Sequence, residues 1–103
     1  MLEKLKLALR LNTTVYDEEL VDLLLAGVAD LKHIGAQFDA TNVTDAGGAV
    51  VDVTITDPLV IRAVITYCRM HFGSPEDFDR LRASYDSQKG QMRESSAYGM
   101  EAV

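Results

Sequence analysis

Tryptophan is missing from this chain, and aromatic residues make up only 7% of its 103 positions. Any core must therefore be built mainly from aliphatic side chains. Cysteine occurs once, as Cys68, which excludes an internal disulfide framework and fits a reducing compartment. No apolar run approaches the roughly 20 residues that a membrane span needs. The opening Met1-Leu2-Glu3-Lys4-Leu5-Lys6 carries charge throughout and lacks a small-residue cleavage site, so it does not read as a secretory signal. Positive charge is also scarce, with 10 Lys+Arg against 16 Asp+Glu and a net charge of −6. Such a chain repels phosphate, which argues against a protein that grips nucleic acid. Between residues 34 and 61 there is no base at all, only Asp39, Asp45, Asp52 and Asp57. What is present is ordinary: 48% apolar and 25% charged residues, values of a single folded domain rather than a disordered one.

Periodicity divides the chain into four helices and one extended segment. Leu2, Leu5 and Leu9 fall on one face of a helix over the first eleven residues, widened by Leu7, Ala8 and Leu11. A second helix starts near Asp17, capped by Thr14 or Asp17, and runs to His33 or Ile34, with Gly35 as its stop. Its apolar residues Leu20, Val21, Leu23, Leu24, Leu25, Val28 and Leu31 cover about 200° of arc, more than one core contact requires. Gly27 lies inside this arc and predicts a close helix approach.

Residues 36–56 alternate polar and apolar positions around Asp45-Ala46-Gly47-Gly48, which predicts a β-hairpin or a long extended loop. A lone two-stranded ribbon is marginal in water, so this segment is expected to lean on something else, such as a neighbouring subunit. Asp57-Pro58 opens a third helix that runs to Phe72 and ends at Gly73. Its apolar arc spans about 240°, which makes it the central element, with Arg62, Thr66 and Arg69 as its polar stripe. Ser74-Pro75-Glu76-Asp77 has the form of a capped start for a fourth helix with a narrow stripe of Phe78, Leu81, Tyr85 and Met92. Residues 1–94 thus read as one mainly α domain of four helices, with 36–56 inserted between the second and third. Ser95–Val103 reads as a flexible or partner-ordered tail.

Candidates for chemistry are few. Cys68 and His71, at i and i+3, have the spacing of a metal pair or a thiol beside a base, but no second Cys/His pair exists. Asp17, Glu18 and Glu19 sit where first-turn helix acids belong. Gly47-Gly48 lacks the flanking pattern of a phosphate loop and reads as a turn. No cofactor, metal ligand set or catalytic residue is indicated. Arg62 and Arg69, two turns apart, suit either a partner's carboxylates or plain solvation.

Taken together, Leu5-Lys6 through Leu9-Arg10-Leu11, Asp17-Glu18-Glu19-Leu20, Asp57-Pro58-Leu59 with Ala63 and Tyr67, Phe72-Gly73, and Ser84-Tyr85-Asp86 resemble the head–tail connector (adaptor) proteins of tailed bacteriophages. These are also known as phage DNA-packaging proteins, and the likeness covers roughly residues 1–92. The resemblance implies a helical, non-enzymatic protomer in a ring of about a dozen copies, built by heterologous contacts. That ring sits beneath the portal protein, meets a tail-side adaptor or stopper protein, and lets DNA pass without specific binding. It implies a virion location at the head–tail interface, reached from the host cytoplasm, and no membrane contact.

The excess apolar arc of helices two and three suits subunit contact. Leu23, Leu25, Ile61, Arg62, Ile65 and Arg69, with Tyr98 and Met100 in the tail, are the residues expected to meet another subunit or the portal. Asp39, Asp45 and Asp52 either line the DNA channel as a like-charged wall or stand on an outer, solvated loop. The competing reading is a small acidic helical interaction module, a regulator or partner-neutralising protein, without a virion role.

Overall fold

The computed structural model describes residues 1–73 and 75–94. The order is α1 (Leu2–Leu9), α2 (Asp17–His33), β1 (Ala40–Thr44), β2 (Val50–Ile55), α3 (Pro58–His71) and α4 (Phe78–Glu94). It is a mainly helical fold with one two-stranded antiparallel hairpin between α2 and α3.

The helix ends follow from local chemistry. Asp57 caps α3 by accepting from the Leu59 and Val60 amides at 2.9 and 3.3 Å, with Pro58 filling the first turn. At the end of α2 the Ala36 N–H donates to the Leu31 carbonyl and the Gly35 N–H to that of Lys32, while Gly35 adopts φ +101°. The end of α1 closes in the same way, with Leu11 N–H on the Lys6 carbonyl and Arg10 N–H on that of Leu7. Here the left-handed position is taken by Arg10, at φ 57°, at a cost of about 1 kcal/mol relative to glycine.

Two helix starts differ from the sequence expectation. Neither Thr14 nor Asp17 caps α2 with its side chain; Tyr16 holds the N-cap position, and the Asp17 carboxylate instead reaches Lys6 at 2.9 Å. That pairing lets Lys6 bury its stem and turns Leu7 outward, 77% exposed, which narrows the apolar face expected for α1. The fourth helix begins at Phe78, later than expected, because Glu76 and Asp77 form a turn. Asp77 bonds Arg80 there, and the proposed cap Ser74 lies outside the described residues.

The helix α3 is the hub. Both α2 and α4 pack on it, α1 touches α2 and α3, and β2 lies against α2. The core joins Leu5, Leu20, Leu24, Leu31, Val53, Val60, Val64, Cys68, Leu81, Tyr85 and Met92. At Gly27 α2 lies close against α3: an added Cβ would stand 3.1 Å from Tyr67 Cδ1 and 3.4 Å from Val64 Cγ1. Thr66, assigned to the polar stripe of α3, is buried instead. Its hydroxyl donates to the Arg62 carbonyl at 2.9 Å, and a satisfied hydroxyl can enter apolar packing.

The hairpin has support from its own chain. Val53 and Ile55 are buried against the helices, and Asp52 accepts from the Leu2 amide at 2.8 Å. A bulge opposite Val43 and Thr44 inserts Val51 as an unpaired extra residue and leaves it exposed, while Val53 and Ile55 keep the alternation that turns them inward. The molecule measures 41 × 35 × 18 Å, so its thin dimension holds two packed layers and every helix keeps one side near solvent.

The Gly27 contact yields a clear expectation for urea unfolding of the full chain. Gly27→Leu should lower stability by about 2–3 kcal/mol through overpacking against Tyr67. Gly27→Ala should stay within about 1 kcal/mol of the parent, because its gain in helix propensity offsets the squeeze.

Candidate assembly surface

The residues with chemical potential are mostly absorbed by the fold. Cys68 is fully buried and His71 is exposed at the end of α3, its ring 4.4 Å from that of Tyr67. The pair therefore shares no site. Burial pushes the Cys68 thiol up to about 12, which removes it as a nucleophile. Tyr85 donates its buried hydroxyl to Asp30, linking α4 to α2. Burial, and then that bond, raise the Tyr85 phenol well above its ordinary value. Burial and the nearby Asp30 raise Tyr67 too. Among the described residues no three His, Cys, Asp or Glu side chains come together as a metal could require.

The three acids expected on the inserted segment play three different roles. Asp52 Oδ1 accepts from the Leu2 and Val53 amides and lies 3.4 Å from the Met1 nitrogen, so it caps α1 from another element. Asp45 Oδ1 accepts from Gly47 and Ala49 at 2.9 and 3.0 Å and builds the hairpin turn. Asp39 is exposed in a shallow hollow beside Lys32, whose ammonium sits 5.3 Å above the Phe38 ring. Asp39 and Asp45 stand at opposite ends of the hairpin.

Two faces combine partly open apolar side chains with charge, while the most exposed large apolar residues, Leu7 and Val15, belong to neither. The first is a groove of about 730 Å³ between the start of α1, the first half of α2 and the bulged stretch of β2. Leu2, Val21, Leu25, Val50 and Val51 line it, and Asp17, Glu18 and Asp22 stand among them. The bulge is what brings the adjacent Val50 and Val51 to this wall. Val50, Val51 and Asp22 carry no signal in the sequence that links them; only the register of the hairpin against α2 does. The second face is a strip along α3, where Ile61 and Ile65 are half-buried, Arg62 is exposed and Arg69 is intermediate. Arg62 makes no ion pair among the described residues, while Arg69 is close enough to Asp77 to help hold that carboxyl below its usual range, after the larger effect of Arg80.

Helical geometry places these faces on opposite flanks. At about 100° per residue, Leu25, Glu18 and Asp22 lie about 140–180° around α2 from Gly27, which faces α3. On α3, Ile65, Arg69 and Arg62 lie about 130–170° from the direction of Val64 and Tyr67, which face α2. The structure thus gathers Leu25 into one face and Ile61, Arg62, Ile65 and Arg69 into the other. Leu23 is half-buried on α2 outside the groove, and Tyr98 and Met100 lie outside the described residues.

The fold thus keeps Cys68 and Tyr85 inside and leaves two faces of mixed apolar and charged character outward. The family model described as phage connector protein matches residues 1–99, and the chain belongs to that family, a family of structural virion components. No curated protein matches the chain, and no solved structure does. No helix among the described residues is long and apolar enough to cross a membrane.

Because Cys68 ionises only near 12 when folded but at its ordinary 9.0 when unfolded, it favours the native state fully below pH 9. Above that, its contribution falls by about 1.4 kcal/mol per pH unit until the folded thiol ionises. Urea midpoints from pH 8 to 11.5 should show this decline, and Cys68→Ala should remove its share of the slope while lowering stability at pH 8.

Proposed function

We propose that the chain is a head–tail connector subunit of a tailed phage or prophage, assembling as a ring below the portal and extending the DNA channel toward the tail. The observation that carries this reading is the match to the phage connector family over nearly the whole chain. The two outward faces support it, since a ring needs one surface for each neighbour and those surfaces differ. A copy number of about a dozen is carried over from the resemblance to the connector family alone. Portal protein is the partner on the head side, a second adaptor or stopper protein is the partner on the tail side, and Ser95–Val103, with Tyr98 and Met100, engages the portal.

In this reading the hairpin points into the channel. Asp39 and Asp45 present negative charge to the duplex, and a like-charged wall offers DNA no sticking point. Asp52 contributes less, because its carboxylate is committed to the α1 terminus. The role is mechanical and positional, with no bond made or broken.

Native mass measurement and negative-stain images of the purified chain, with and without portal protein, test the proposal. Ring-sized particles, formed alone or on the portal, are the expected result. A stable dimer indifferent to portal would instead favour the small interaction module. A map of the ring with residues 40–55 on its outer rim would end the channel assignment. If that assignment holds, rings carrying Asp39→Lys and Asp45→Asn should retain DNA that the parent ring releases; the asparagine keeps the turn bonds while removing the charge.

A further inference from the structure

We infer that the occupant of the acidic groove is the α3 strip of a second copy of this chain. The inference rests on the connector reading and adds to it which surfaces meet and in what charge register. The groove has an apolar lining that includes Leu25, Val50 and Val51, with Glu18 and Asp22 exposed beside it. The strip has the reverse arrangement, two isoleucines flanked by Arg62 and Arg69. Apolar centre meets apolar centre, and a basic edge meets an acidic one. Arg62 has no ion-pair partner within its own chain among the described residues, so a neighbour's carboxylate is gained without breaking an existing pair.

The geometry requires the contact to be intermolecular. The groove opens on the side of α2 away from α3, and the strip lies on the side of α3 away from α2, so neither can fold onto the other. Each copy therefore offers one donor face and one acceptor face. This is a head-to-tail contact, which propagates around a ring rather than closing as a two-fold dimer. Within the groove, Asp17 is already held by Lys6. Glu18 and Asp22 are the carboxylates left to receive the guanidinium groups.

Charge exchange tests the pairing in the full chain, read by sedimentation velocity and native mass. Arg62→Glu alone and Asp22→Arg alone should each weaken self-association about tenfold or more, since like charges then face each other. Arg62→Glu and Asp22→Arg combined in one chain should restore it. An equimolar mixture of the two single variants should also assemble, because each then offers the face the other needs. Melts taken at concentrations where every chain is monomeric should match the parent, both residues being exposed.

A second measurement does not depend on the swaps. A chain carrying both Leu25→Cys and Ile65→Cys should form a ladder of covalent oligomers on mild oxidation, against a silent background from buried Cys68. Swaps that leave assembly unchanged, or a doubly substituted chain that yields no ladder while the parent still forms rings, would overturn the face pairing and leave the connector reading intact. A parent chain that stays monomeric at every concentration and on portal protein would overturn both.

Discussion

The packing of α2 against α3 at Gly27 is the constraint on which the other contacts depend. With no side chain at that position, Tyr67 and Val64 take up space that a Cβ would contest at 3.1 and 3.4 Å. The approach fixes the rotation of both helices. With that rotation set, Leu20, Leu24 and Leu31 turn inward with Val60, Ala63 and Cys68, and Tyr67 is presented to Tyr85 of α4 at a ring distance of 5.7 Å. The Tyr85 hydroxyl then reaches Asp30 and ties α4 to α2. The same rotation turns Leu25 and Asp22 to one flank and Arg62 and Ile65 to the other. Core and interaction surfaces are thus two results of a single helix–helix geometry.

Small size explains why so much of α2 and α3 stays half-open. A two-layer slab cannot surround its central helices, and a domain of this length buries a smaller share of its surface than a larger one. The chain places its polar satisfaction where the layers end. Lys6 with Asp17, Asp52 with the α1 terminus, and Asp57 with the α3 terminus each settle a charge or a set of free amides at a boundary. Part of the acidity is therefore structural: Asp17, Asp45, Asp52 and Asp57 are ion-pair partners, caps or turn-builders.

The helices were readable because each carried a redundant signal. Asp57-Pro58 announces α3, Gly35 ends α2, and the wide arcs of both helices are visible as residue spacing alone. Gly27 was legible for the same reason, as a costly residue on an otherwise apolar face. The failures share a different cause. Lys6 with Asp17 and Asp52 with Leu2 join residues far apart in the chain, and no periodicity reports such a pairing. Thr66 was misplaced because residue polarity was taken for exposure, when a bond to its own helix had already satisfied its hydroxyl. The groove was invisible until a one-residue bulge in β2 brought Val50 and Val51 together, since strict alternation would have sent them to opposite faces. Ile61, Arg62, Ile65 and Arg69, by contrast, lie on one helix, where spacing alone suffices to group them.

The bond between Asp52 and the start of α1 has a mechanical meaning. It couples the hairpin to a helix about fifty positions earlier in the chain, through a single carboxylate. A hairpin that leaned only on α2 would hinge about its strand ends. Pinned at Asp52 as well, it is braced at two points and transmits load instead of bending. Force on the hairpin tip travels down β2 into α1, and through the Lys6–Asp17 pair into the start of α2. Three elements distant in the chain are thus joined at one corner of the molecule, beside the groove.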